Sequence, residues 1–378
     1  MANVLTAVAP VLYSAARIVP RELVGLLGAV RQDFNDKGVA KGDTVKIGIA
    51  PVLTVQTVSP AQTFATGNDR TMTSQTLTLN QFKEVTWNLT PEEERSLMNS
   101  TVAQDILAQT VTQGFRALVN AIEIYMWGVA RKGASRSFGV AGTTPFGANF
   151  NEIANLRKIL DDNGAPSQDR ALVMNTTAGV SMRNLASLYQ VYSRGSDATL
   201  AQGVLLDVEG FKVRESQAPT TVAIGTGTAY TSDSAGYAVG ATVITLITGS
   251  GTILAGDTVT FAGDTNKYVV SVGTAAAGAI TLAEPGLRVA IAAAPTALTV
   301  GAIATQNLAL VRDSTVAVVR PALQPDGAAF EQMIVSDPVS KLSALLLRVP
   351  GNALSSWYMR IVYDGFVPNP YQIAQLLG

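Results

Sequence analysis

TVAQDILAQTVTQGFRALVNAIEIYMWGVARKG, residues 101–133, is the longest periodic stretch of the chain. Ala103, Leu107, Val111, Phe115, Leu118, Ile122, Tyr125 and Val129 recur at spacings of three and four, drawing one apolar stripe over about seven helical turns. Asn99, Ser100 and Thr101 supply N-cap chemistry, Arg131 and Lys132 suit a helix C-terminus, and Gly133 stops it. At 1.5 Å per residue, a helix of about 30 residues spans about 45 Å, a girder for an elongated molecule. The opposite face carries Gln104, Thr112, Gln113, Arg116, Asn120 and Glu123 and is predicted to be a mostly uncharged polar surface.

Working upstream, Thr90-Pro91-Glu92-Glu93 has a cap, a proline at the first helical position and a glutamate three residues after the cap. It predicts a short acidic helix to about Met98. Thr71–Leu89 and Thr44–Val58 both read as extended runs, separated by a Pro/Gly/Asn turn region at Ser59–Arg70. In the second run Leu77, Leu79, Val85 and Trp87 share a face, with Thr76, Thr78, Asn80 and Thr86 on the other. Two strands of about 15 residues would form a ribbon about 50 Å long. Such a ribbon is marginal alone in water, so either its own domain or a neighbouring copy must cover it. The neighbouring copy is the expectation adopted here. Met1–Val30 lacks a basic leading region and is broken by Pro10, Arg17, Pro20, Arg21 and Glu22, so an arm with one or two short helices is expected rather than an export signal.

Downstream, Ser135–Ala148 reads as a loop, and Asn149 with Glu152 caps a helix through Ile153, Leu156, Ile159 and Leu160 to Asn163-Gly164. Ala171–Met174 is a short buried strand, Asn175 caps a helix to about Val191, and Val204–Val208 pairs with Phe211–Glu215 across Glu209-Gly210. From about Ala223 to Ile303 the charged residues fall to Asp233, Asp257, Asp264, Lys267, Glu284 and Arg288. Short strands at Ala241–Ile247, Thr258–Phe261, Lys267–Val272, Ala279–Leu282 and Ala297–Val300 predict a small barrel or sandwich. Mixed texture resumes with Leu308–Val311, Val316–Val319, Phe330–Val335, Leu342–Val349 and Trp357–Tyr363 as strands. The fold class is therefore α+β, with an all-β domain inserted in a loop.

The 378 residues carry 27 basic and 28 acidic side chains for a net charge of −1, and neither cysteine nor histidine. That composition excludes disulfides, thiol nucleophiles, Ser-His-Asp and Cys-His arrangements and zinc fingers. Near-neutrality argues against a nucleic-acid grip driven by counterion release. No apolar stretch is long enough for a membrane span. Phosphate loops, dinucleotide fingerprints, nucleophile elbows and EF-hand loops are missing; Gly225-Thr-Gly227-Thr reads as a plain turn, and Asp161-Asp162-Asn163-Gly164 as a solvated helix end. No catalytic residue, cofactor or metal ligand is expected.

Taken in order, these segments resemble the major capsid protein of tailed double-stranded-DNA bacteriophages, the Johnson fold. The stretches that correspond are an N-terminal arm (1–43), an extended loop (44–89), a spine helix with a peripheral domain (90–170), and an axial domain (171–222 and 304–378). An inserted β-barrel (223–303) is similar to that of short-tailed phage coat proteins. Asp207–Pro219 resembles the segment leading into that insertion, Gly256-Asp257-Thr-Val259-Thr-Phe261-Ala262-Gly263 a barrel hairpin, and Asn307–Asp313 with Val316–Pro321 the return. The resemblance implies a structural, non-enzymatic protein that self-assembles as pentamers and hexamers into an icosahedral shell around double-stranded DNA. Its implied partners are copies of itself, a separate scaffolding protein, a portal and weakly held DNA; its place is the virion, assembled in the host cytoplasm. Candidate contacts between copies are Arg17 and Arg21 on the arm, Phe64, Asn68, Asp69 and Arg70 at the loop tip, and Leu77, Leu79 and Trp87 on the second strand. Rival readings are an encapsulin-like nanocompartment shell, which normally lacks an inserted barrel, a secreted β-rich adhesin, and a carboxylate hydrolase drawing on Asp161, Glu209 or Asp313.

Overall fold

The computed structural model describes residues 23–35, 37–49, 73–93, 95, 101–185, 207–323, 331–337, 340–351 and 354–378. Upstream of the long helix Thr101–Lys132 (α1) lie Arg31–Phe34 (β1), Thr44–Ile49 (β2), Thr73–Thr78 (β3) and Gln81–Leu89 (β4). After it come Arg136–Gly139 (β5), the helix Asn151–Asp162 (α2), Arg170–Met174 (β6), the helix Thr176–Arg183 (α3), Phe211–Glu215 (β7) and Thr221–Val222 (β8). Short strands follow at Tyr230–Thr231 (β9), Val243–Leu246 (β10), Thr258–Phe261 (β11), Lys267–Val272 (β12), Gly278–Leu282 (β13) and Ala297–Val300 (β14). The last elements are Ala304–Val311 (β15), Val316–Pro321 (β16), Glu331–Ser336 (β17), Ser343–Pro350 (β18), Ser355–Phe366 (β19) and Ile373–Leu377 (β20).

The helix α1 lies between two sheets. The first runs β1-β16-β19-β18-β17, with β4 on the other edge of β19 in register from Ser355↔Leu89 to Tyr363↔Gln81. Val111, Phe115, Leu118 and Ile122 of the predicted stripe are buried against Leu346, Trp357, Met359 and Ile361 of this sheet. Burying each such side chain contributes about 1.5–3 kcal/mol. Gly114 permits the close approach, because a Cβ there would stand 3.3 Å from Met359 Cε. The polar face departs from expectation. Thr112 is buried and donates its hydroxyl to the Ala108 carbonyl, and Glu123 is 1 % exposed, because the second sheet and the chain at 24–30 cover that side.

The second sheet runs β7-β6-β15-β20-β5-β12-β11-β14-β9. Its central strands are covered on both faces, which explains their unbroken apolar runs. Ala171, Val173, Leu308, Leu310 and Ile373 face α1, while Leu172, Met174, Ala309, Val311, Ala374 and Leu376 face α2 and α3. Further along, β9, β14, β11, β12, β13 and β10 are hydrogen-bonded in that order. The Ile247 N–H donates to Thr231 O and the Asp233 N–H to Thr245 O, returning β10 to β9. Inside this ring Tyr230, Ile244, Leu246, Val259, Phe261, Tyr268, Val270, Ile280 and Leu298 form their own cluster.

Four expectations are corrected. The chain at 24–30 is a tight turn in the core rather than a helical arm, and residues 31–34 form β1, parallel to β16. The loop expected at 135–148 opens with β5, an inner strand held between β20 and β12. The acidic turn is not merely solvated: Asp161 accepts from the buried Arg170 at 2.7 Å, and Asp162 pairs with the buried Arg136 at 3.7 Å. Desolvation opposes it, yet Lys158, Arg136 and Arg288 together hold the Asp162 carboxyl below its ordinary range. Finally, Asn149 sits one residue early, accepting the Asn151 N–H, and Phe150 occupies the N-cap without a side-chain bond. Asn175 does cap α3, accepting the Ala178 N–H. That helix, expected to reach about Val191, ends at Arg183 with Asn184 as its C-cap, while residues 186–191 and most of the strand expected at 204–208 lie outside the described residues.

Candidate functional site

The hairpin predicted as one continuous ribbon is divided. β2 and β3 pair in register from Thr44↔Thr78 to Ile49↔Thr73, and then the second run breaks at Leu79 and Asn80 and enters the first sheet as β4. Backbone bonds pin the break: the Leu79 N–H donates to Asp43 O and the Gly42 N–H to Leu79 O. The Asn80 N–H donates to Asp364 Oδ2 at 3.1 Å, and Asp364 Oδ1 accepts the Tyr125 hydroxyl of α1 at 2.7 Å. The side chain of Leu79 is fully enclosed with Val316, Val318, Leu345 and Val362. Leu79 was an expected contact between copies; it lies instead in the interior of its own chain. Leu77, Val45 and Ile47 are half-buried against the same cluster, so the ribbon's base leans on its own chain. Trp87 is half-buried and stacks on Trp357 at 6.1 Å with the rings 8° from parallel. Arg17, Arg21, Phe64, Asn68, Asp69 and Arg70 lie outside the described residues.

What β4 leaves outward is its free edge, which pairs with no strand among the described residues, and the side chains of Phe82, Lys83, Glu84, Thr86 and Asn88. Phe82, 40 % exposed, and Leu323, 59 % exposed, flank a cleft of about 200 Å³ with Val39, Lys41, Ala322 and Arg360. Sequence reasoning missed Phe82. Its signal was an aromatic side chain out of phase with the apolar face of Leu77, Leu79, Val85 and Trp87.

A larger cleft of about 370 Å³ lies between β5, the start of α2 and the β11–β12 turn, with Glu152 and Lys267 in its wall. Burial lowers the Lys267 ammonium, but that ammonium donates to the Gly139 carbonyl and is held there. Among the described residues no group of three or more acidic side chains could hold a metal ion, and no helix is long and apolar enough to cross a membrane. Of the three acids weighed for hydrolysis, Asp161 is bound to Arg170 and Arg157, the Arg157 guanidinium also donates to the Glu209 carbonyl, and Asp313 lies beside Arg31.

The buried phenols set an alkaline limit. Desolvation, then the bond donated to Asp264 at 2.5 Å, pushes Tyr268 up to about 12, and desolvation with the nearby Asp364 does the same to Tyr363. Their ordinary value is 10.0. Because the folded value lies above the unfolded one, this contribution is complete below pH 10 and disappears as pH rises towards 12. Each phenol should remove about 1.4 kcal/mol per pH unit in that window. Without histidine or cysteine, stability should be nearly flat from about pH 6 to 9. Denaturant midpoints across pH 6–12, read beside phenolate absorbance, check both halves. A midpoint falling between pH 6 and 9 would refute the account.

Compared with models of protein families and with curated proteins, the chain matches none. Among solved structures, the "Capsid structure of the Cyanophage P-SCSP1u" is similar at TM-score 0.50 and 12% identity, over 95% of this chain and 89% of that one. "Mycobacterium phage Che8" gives TM-score 0.48 at 15% identity over 96% and 90%. The "Crystal structure of virus-like particle from Pyrococcus furiosus" gives 0.41 at 8% over 98% of each. The cyanophage likeness carries the fold: a strand-rich architecture with few helices, matched along nearly the whole of both chains.

Proposed function

We propose that this chain is a structural subunit of a closed shell, the major capsid protein of a tailed double-stranded-DNA bacteriophage, whose activity is association with its own copies into pentamers and hexamers. The observation that carries the reading is the end-to-end match of the fold to a chain of the cyanophage capsid. The physical setting agrees with it. Among the described residues, an open strand edge bearing the exposed Phe82 lies beside the hairpin root. Closed symmetry is the ordinary way to bury such edges. In this reading α1 is the spine, the ring of strands within 230–300 is an inserted barrel of the short-tailed phage type, and 171–222 with 304–378 form the axial domain. That insertion favours a capsid over a nanocompartment shell. Scaffolding protein, portal and weakly held DNA are the further partners proposed, with assembly in the host cytoplasm.

Size-exclusion chromatography followed by negative-stain microscopy of the expressed chain tests the reading. Shells tens of nanometres across are expected. A well-behaved monomer at assembly concentrations, with residues 1–22 and 50–72 protected from protease, would refute it.

A further inference from the structure

Glu123 is an acid in the middle of α1 that the fold encloses almost completely. Its Oε1 accepts the Gly25 N–H at 2.9 Å, the Leu26 N–H at 2.7 Å and the Ser216 hydroxyl at 2.8 Å; Oε2 accepts the Leu27 N–H at 2.9 Å. Three successive amides converging on one carboxylate form a nest, a concave site of positive potential. Charge-assisted bonds of this kind are about twice as strong as neutral ones. Gly25 allows the approach, since a Cβ there would stand 2.6 Å from the Glu215 carbonyl oxygen. Two residues on, about 200° around the helix, Tyr125 reaches Asp364 and through it Asn80. One helical turn therefore grips residues 25–27 on one side and the root of the hairpin on the other.

We infer that Glu123 is a positioning residue for assembly: it fixes residues 25–27 against α1, next to the N-terminal segment proposed to contact a second copy of the chain. This inference rests on the shell reading above. The Glu123→Gln variant keeps the volume but turns one acceptor into an NH₂ donor, facing the Leu27 N–H or its three companions. Hydrogen exchange of full-length chain should then rise at least tenfold at residues 25–27 and change less than twofold at Asn80. Tyr125→Phe should do the reverse, and Ser216→Ala, which removes one of four donors, should raise exchange at 25–27 by about threefold. Equal acceleration at both roots, or none at 25–27 in either variant, overturns the inference. In assembly, Glu123→Gln is expected to lower shell yield at least tenfold relative to the unsubstituted chain. Full yield despite freed amides overturns the assembly role, whereas absence of shells from the unsubstituted chain overturns the shell reading and leaves the exchange result standing for the grip itself.

Discussion

A chain in which residues 50–72 are replaced by Asn-Gly should fold normally and form no shells. Ile49 and Thr73 are backbone partners at the outer end of the ribbon, so a two-residue turn suited to Asn-Gly closes the hairpin without disturbing its register. Every described bond of the subunit survives the change: the β2–β3 ladder, the pinned break at Leu79, and β4 along β19. Shortening a loop of that length alters closure entropy by about 1–2 kcal/mol, so the melting temperature should move by only a few degrees. What is lost is the set Phe64, Asn68, Asp69 and Arg70, the proposed contacts with a neighbour. Sedimentation and microscopy should show soluble subunits and at least a hundredfold fewer shells. Shells at normal yield would remove the loop tip from the assembly surface and leave the free edge of β4, with Phe82, as its replacement.

The sequence disclosed long-range architecture better than local partnership. The 32-residue helix was legible because its period is unmistakable and Gly133 ends it, and it occupies Thr101–Lys132. Strands such as Thr258–Phe261, Lys267–Val272 and Ala297–Val300 were legible because turns punctuate them on both sides. The first sheet's β1 and the inner strand β5 were not. Arg31-Gln32-Asp33-Phe34 and Arg136-Ser137-Phe138-Gly139 are polar segments whose extended shape comes from the neighbours they pair with. Glu123 was hidden for a related reason. Periodicity locates an apolar stripe, but it does not reveal that a second layer covers the polar side, and a buried acid is spelled like an exposed one. The hairpin reading failed at Leu79 because alternation continues through the break: Leu77, Leu79, Val85 and Trp87 keep one phase while the strand changes sheets. Of the candidate contacts, only Leu77, Leu79 and Trp87 lie among the described residues, and Leu79 is turned inward.

Trp127→Ala should be the most destabilising single change at the junction of α1 with the second sheet. The side chain is 6 % exposed and its indole N–H donates to the Gln306 carbonyl of β15 at 2.9 Å. Arg131, one turn on, lies 5.6 Å from the ring centre and donates to Gln306 Oε1, while the Gln306 amide donates to Gly256 O beside β11. Burial lowers the Arg131 guanidinium, and the nearby Asp257 raises it. Removing the ring thus opens a cavity where three elements meet and deprives a half-buried cation of its platform. The expected loss is about 3–5 kcal/mol, read as a lower denaturant midpoint at unchanged slope. Trp127→Phe retains most of the volume and gives up the N–H bond, for a loss of about 1–2 kcal/mol. The difference between the two variants separates packing from hydrogen bonding. Because the ring of strands is tied to the body through β12 on β5 and through this junction, Trp127→Ala should also raise hydrogen exchange at residues 254–257 more than at the far strands β9 and β10. A loss below 1 kcal/mol for Trp127→Ala, or exchange unchanged at 254–257, would show that this junction does not hold the ring of strands to the body.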